Sequence, residues 1–465
     1  MHEMLKKSII QLQDHLISKE ISCLELLNIH IEHVKMWNTR LNAMVEDRFL
    51  EAQKQAKKLD DIGDFETQPL AGIPCTIKEC FALQEMPQSS GLYTRRNIRS
   101  TTNAPVVQKI LDAGAIPMGV SNLSELCMWM ESNNTVYGRS NNPYDLRCTT
   151  GGSSGGEGAL VGCGSSPFGL GSDIGGSIRM PAFFNGVYGH KCSSMLIENM
   201  GQYPIASNEA QRYLCTGPIS RTAQDLPLLI SVMSGQKIDK ADIDWSKMKV
   251  YSIRSDGRIP VQEELQETQF QLLQWCQSKG ARIEEIQIPE LRRSAEIWSG
   301  ALESAGGPTF EELLWDGNSK KSLLMECIRL FVGRSKHTFP ALGLTGLERI
   351  AKLLPNQLEH FLELQKILRK KLDDILDQDT LLLYPSHGCV APRHKNSLFV
   401  PIRWSYTAIL NVMELPVTQI PLGLNQNGIP LGVQLVGGYG NDSLTIGAAI
   451  SIEKQYRSWQ PPILR

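Results

Sequence analysis

The sequence predicts an α/β protein, a β-sheet covered by helices, folded as one domain over residues 1–465. Three observations carry that expectation. Short aliphatic runs alternate with amphipathic stretches of helical period from about residue 73 onward, the order that builds a sheet with helices packed on it. The composition, 42% hydrophobic and 21% charged, is that of a globular chain with a sizeable core. No internal repeat, low-complexity tract or linker divides the chain.

The first sixty residues read as helices. Ser22 and Glu25 form a capping box, and Leu24, Leu27, Ile31 and Val34 follow at helical spacing. Glu51 to Leu59 is a second, more polar helix, and Asp60 to Pro69 a loop. Ile73–Ile77 is a strand ending near Lys78. Val106–Ala113 is then a helix, Ile116–Val120 a strand, and Gly156–Val161 the opening of a helix. Further strands are expected at Val250–Ile253, Ile283–Ile288, Leu381–Tyr384, Val417–Ile420 and Leu431–Val436. Helices are expected at Glu263–Ser278, Gln357–Leu376 and Leu444–Lys454.

A net charge of −2 gives no electrostatic footprint for nucleic acid. The 11 cysteines are odd in number and contain no CxxC pair, which points to free thiols in a reducing compartment rather than to a disulfide framework or a zinc site. Met1-His2-Glu3-Met4-Leu5-Lys6-Lys7 has no apolar signal core, and no long uncharged apolar window encodes a membrane span. The expectation is a chain that is soluble or attached to a membrane peripherally, with no metal and no cofactor.

Chemistry concentrates in two glycine-serine clusters, Gly151-Gly152-Ser153-Ser154-Gly155-Gly156 and Gly171-Ser172-Asp173-Ile174-Gly175-Gly176-Ser177. Such runs are commonly turns or linkers. These are interleaved with Ala159-Leu160-Val161 and Phe168-Gly169-Leu170 and followed by Ile178–Phe184, so they read as buried loops. A serine among clustered N–H groups supplies both a nucleophile and donors for an oxyanion. Gly151–Gly155 also fits a G-x-S-x-G elbow, but the turn-like residues before it replace the strand that an elbow needs. No Gly-Lys-Ser/Thr follows, which removes a phosphate-binding loop. Lys78 lies in an apolar setting, Ile73-Pro74-Cys75-Thr76-Ile77; a buried lysine loses its proton more readily and can serve a serine as base.

These clusters, with Ser124–Trp129, Tyr137–Asp145, Met180–Gly186, Tyr384–His387 and Leu415–Gln419, resemble the amidase signature family of serine hydrolases. Within it they are most similar to the type 2 fatty-acid amide hydrolases of animals. The resemblance runs from about Leu5 to the C-terminus, with a signature core at about 70–225. It implies a single-domain fold with a mixed central sheet flanked by helices on both faces. It also implies a Ser-Ser-Lys triad: Ser177 as nucleophile, Ser153 as proton relay through a cis-like backbone, and Lys78 as base, neutral in the resting enzyme. Backbone N–H groups of Ile174, Gly175, Gly176 and Ser177 would form the oxyanion hole, with Cys127, Met128 and Ser153 lining the substrate. Asp173 and Arg179 would hold the loop as an ion pair.

The implied substrates are fatty-acid amides, both acylethanolamides and primary fatty amides, and the implied contacts are a lipid surface and a homodimer. Two departures stand out. Cys192 replaces a proline that follows the His190-Lys191 pair in relatives, which loosens the segment after it. The hydrophobic anchor that begins the type 2 enzymes is missing, so the expected location is intracellular, on membranes or lipid droplets or in the cytoplasm. Residues 322–355 mix Leu323, Leu324, Ile328, Leu330, Phe331, Val332, Phe339, Leu342, Leu344, Leu347, Ile350, Leu353 and Leu354 with Arg329, Arg334, Lys336, Arg349 and Lys352. They read either as a helix pair packed on the core or as a membrane-facing cap. Three alternatives remain open: an amidotransferase subunit or other amidase, a histidine-based α/β-hydrolase using His190, His337, His360, His387 or His394, and a non-catalytic lipid carrier.

Overall fold

Thirteen strands form in chain order: β1 (Met44–Asp47), β2 (Pro74–Lys78), β3 (Ile116–Ser121), β4 (Asn133–Asn134), β5 (Gly138–Arg139), β6 (Phe168–Asp173), β7 (Tyr188–Lys191), β8 (Cys215–Ser220), β9 (Lys249–Ser252), β10 (Arg282–Glu285), β11 (Thr380–Tyr384), β12 (Val417–Leu424) and β13 (Pro430–Val436). These come from a computed structural model that describes every residue except 207, 319–321, 352–356, 400–401 and 464–465. Among the described residues an 11-stranded sheet has the order β1-β3-β2-β6-β8-β7-β12-β13-β11-β9-β10, and β4 and β5 form a separate hairpin. The sheet is mixed. β2 runs parallel to both β3 and β6, and β9 parallel to β10 and β11, while the middle of the sheet is antiparallel.

Helices flank the sheet, and β11 shows why both faces are covered. Leu381 and Leu383 belong to one apolar cluster, while Leu382 and Tyr384 belong to another, the alternation that a pleated strand imposes. The expected elements hold closely. Ser22 caps the helix Cys23–Leu41 with Glu25 completing the box, and the helix Glu263–Ser278 has the expected ends. The strand expected at Ile283–Ile288 stops at Glu285, because its partner β9 ends at Ser252. β6, β7 and β8 had no strand signature, since glycine and polar residues interrupt them; burial on both faces stabilises them instead.

Lys78 ends β2, and Asp173 ends the neighbouring parallel strand β6. The crevice beyond the carboxyl ends of adjacent parallel strands is where α/β sheets place ligands. All 11 cysteines are unpaired. No described helix is long and apolar enough to cross a membrane.

Candidate active site

Lys78 is fully buried, and its Nζ donates to Ser153 Oγ at 2.7 Å and to Ser172 Oγ at 2.9 Å. Both partners are neutral hydroxyls, and no carboxylate is hydrogen-bonded to it among the described residues. The adjacent Glu79 turns elsewhere: Ser89 N–H, Ser89 Oγ, Tyr137 OH and Ser90 N–H all donate to it.

Ser153 follows a cis Gly152–Ser153 peptide. A Cβ on Gly152 would sit 2.2 Å from Trp129 O, so only glycine fits there. Ser132 Oγ, donating to the carbonyls of Gly151 and Ser153 and accepting from Gly155 N–H, holds this turn in place.

The second loop is organised by Asp173. Its carboxylate accepts from Gly176 N–H (2.7 Å), Ile178 N–H (3.1 Å), Arg179 (Nε and Nη2, both 3.0 Å) and Asn411 Nδ2 (2.9 Å). Burial pushes this carboxyl up, but the Arg179 charge and these hydrogen bonds outweigh it and hold it well below the usual carboxylate range. The expected Asp173–Arg179 ion pair is therefore present and fully buried. Trp298 Nε1 donates to the carbonyl of Ile174 at 2.7 Å and Thr407 Oγ1 to that of Gly175 at 2.8 Å, which pins the carbonyl side of the turn. Gly176 has φ +117°, and a Cβ there would lie 2.0 Å from Thr407 Oγ1. One expectation changes: the N–H of Gly176 is engaged by Asp173 rather than turned to a ligand. Among the described residues no hydrogen bond uses the N–H groups of Ile174, Gly175 or Ser177, which leaves those three as donors. Ser177 is 9% exposed, against 0% for Lys78 and Ser153, so it is the one of the three that meets solvent.

Cys127 ends a short 3₁₀ turn, Glu125–Cys127, in which Leu126 (φ 54°) and Cys127 (φ 60°) are both left-handed. Its thiol faces Cys80, Lys78 and Ser153. Met128 follows it, partly exposed. Glu125 reaches outward, accepting from His337 Nδ1 and Thr338 N–H, both at 2.8 Å. Among the described residues no histidine contact reaches Ser153 or Ser177: His190 bonds Thr418 and Asp442, His337 bonds Glu125, His360 lies against the Phe361 ring, His387 bonds Cys389, and His394 bonds Leu146. His190, Cys192 and Asp442 lie close together, but both His190 nitrogens are committed and Asp442 also accepts from Ser193, so the group is a clamp. Cys192, in place of the proline, is buried, and its carbonyl accepts from Lys191 Nζ and Cys215 Sγ. Ser132, Trp298, Thr407 and Asn411 were not legible in the sequence, each being a single polar or aromatic residue with no motif around it; Ser172 stood inside the second cluster, but nothing in the pattern set it apart as a partner of Lys78.

The expected cap consists of the helices Leu323–Phe331 and Phe339–Ala351. Leu323, Leu330 and Leu342 pack inward with Leu126 and Trp315. Leu324, Met325, Ile328, Phe331, Val332, Phe339, Leu347 and Ile350 point outward, Phe331 being 93% exposed. Arg329 is paired with Glu326 and Arg349 with Glu311, which neutralises two of the interleaved cations. Lys352, Leu353 and Leu354 lie outside the described residues.

The Amidase family model matches residues 25–446. Fatty-acid amide hydrolase 2-A of Danio rerio is 41% identical over 99% of this chain and 90% of its own length. The human fatty-acid amide hydrolase 2 is 40% identical over 97% and 90%. A crystal structure of an amidase superposes with a TM-score of 0.81 at 23% identity, covering 97% of this chain and all of that one. The chain belongs to the amidase signature family and is an amide hydrolase.

Proposed function

We propose that this enzyme hydrolyses fatty-acid amides through a Ser177–Ser153–Lys78 relay. The observation that carries this reading is the buried 2.7 Å contact between Lys78 Nζ and Ser153 Oγ, beside a loop that presents Ser177 with unspent N–H groups. With Lys78 neutral, the same contact runs in reverse, the Ser153 hydroxyl donating to Nζ. Lys78 takes the proton of Ser153 as Ser153 accepts that of Ser177, whose Oγ attacks the amide carbon. The N–H groups of Ile174, Gly175 and Ser177 meet the oxyanion as it forms. The proton returns through Ser153 to the leaving nitrogen, the C–N bond breaks, and water hydrolyses the acyl-enzyme to fatty acid.

Long acyl chains as substrates are supported by the identity to fatty-acid amide hydrolases and by the outward apolar face of the cap. Exposed apolar side chains gathered on one pair of helices mark an interaction site, and a lipid surface is the source that these substrates require. Cys127 and Met128 would line the acyl pocket, at the point where the cap meets the triad. The test is hydrolysis of oleamide and anandamide by wild type, Lys78→Ala and Ser177→Ala. Wild type should release oleate from oleamide and arachidonate from anandamide, with losses of about 10³-fold or more in the variants. Hydrolysis that persists in folded Lys78→Ala would overturn the lysine base.

A further inference from the structure

A carboxyl that the relay leaves idle lies behind Lys78. Glu157, in the helix Gly155–Gly162, is fully buried. Its Oε2 accepts from Thr76 Oγ1, two residues before Lys78 on β2, and the backbone of Gly169 on β6 closes over the same oxygen. Its Oε1 has no hydrogen-bond partner, nor does Ser121 Oγ, which faces the carboxyl from β3. Ser121 is the residue paired with Lys78 in the β2–β3 register.

Its surroundings differ from those of the other buried carboxylates in this region. Asp173 and Glu79 each receive at least four donors, and Asp173 has Arg179 as counter-ion. Glu157 has only the Thr76 hydroxyl bonded to it and the Ser121 hydroxyl facing it, and no backbone N–H or cation among the described residues donates to it. The nearby cation, Lys78, is directed at Ser153 and Ser172 instead. The remaining titratable group set against it, Cys75 on β2, is a thiol. A carboxylate with so few donors and no ion pair is expensive to bury, whereas the neutral acid is not.

We propose that Glu157 is a positioning residue that works as a protonated carboxylic acid, bonding Thr76 of β2 and Ser121 of β3 and so fixing the strands around Lys78 without setting a counter-ion beside it. The inference rests on Lys78 being the base. Burial pushes the Glu157 carboxyl up to about 7, and the Lys78 charge is among the influences holding it down. A neutral Lys78 removes that restraint, so neutral acid and neutral base favour each other. An ionised Glu157 would instead favour the Lys78 ammonium and disable the relay.

The test is the rate of fluorophosphonate labelling of Ser177 against pH in wild type, Glu157→Gln and Glu157→Leu, together with infrared spectra at neutral pH. Glutamine reproduces the neutral acid in shape and bonding. It should label within a few-fold of wild type, with the acid limbs superimposed, while leucine labels at least tenfold more slowly. Wild type should show a carboxylic-acid C=O band, sensitive to D₂O, that Glu157→Gln lacks. An acid limb displaced downward by about one pH unit or more in Glu157→Gln would make Glu157 the ionised counter-ion and overturn the inference. A missing band, or a leucine variant as fast as wild type, would overturn it as well. If leucine prevents folding, the glutamine profile and the band decide. Labelling that does not depend on Lys78 defeats the base assignment instead.

Discussion

Asp173 does more to shape the site than any residue of the proposed relay. It accepts from the backbone of the loop, from Arg179 and from Asn411, and Arg179 in turn reaches Gln434 Oε1 and Asn411 Oδ1. Asp173→Asn keeps the shape but leaves a buried guanidinium without its charge partner, so denaturant unfolding should show a loss of about 3–5 kcal/mol. The sign with pH follows from a carboxyl held below its unfolded value. Its stabilisation is complete above about pH 4, where the unfolded group ionises, and is lost as pH falls toward the lower folded value. Wild type minus Asp173→Asn stability should therefore shrink only in acid. Lys78, Ser153, Ser177 and the Asp173–Arg179 pair were legible because glycine-serine clusters and an apolar lysine form a local pattern. Asn411, Trp298 and Thr407 were not, because they reach the loop from helices more than a hundred residues away in the chain, where one polar or aromatic residue leaves no spacing to read.

At the scale of elements, the 3₁₀ turn Glu125–Cys127 joins the cap to the site. Glu125 ties it to His337 and Thr338, Leu126 packs among the cap residues Trp315 and Leu342, and Cys127 faces Ser153. Removing the carboxylate with Glu125→Ala strips two buried hydrogen bonds, weakening cap docking by about 2–4 kcal/mol. Hydrogen exchange in the helices Leu323–Phe331 and Phe339–Ala351 should accelerate while β2 and β6 stay protected; uniform acceleration through the sheet would show that the turn supports the whole fold instead. The helix and strand positions were readable wherever apolar period was clean, as at Glu263–Ser278 and Thr380–Tyr384. The strand order was not. β7 pairs with β12 and β2 with β6 through contacts that depend on packing between distant segments rather than on any local period.

For the whole molecule, the exposed apolar side chains of the cap helices are what supports the proposed lipid contact. Phe331, Leu324 and Leu347 are among its exposed side chains, and two of the interleaved arginines are ion-paired, so the apolar side chains are the larger part of what it offers a bilayer. The enzyme should float with neutral phosphatidylcholine vesicles, and Phe331→Glu with Val332→Glu should release it; flotation unchanged by the double substitution would overturn the membrane-facing cap. The central claim, however, is the relay that joins β2 to the two glycine-serine loops. Its most direct test is to treat wild type, Ser177→Ala and Lys78→Ala with a fluorophosphonate and map the adduct by mass spectrometry. The account predicts a label on Ser177 that is absent from Ser177→Ala and strongly slowed in Lys78→Ala. A label on Ser153, or none on the folded wild type, would contradict it.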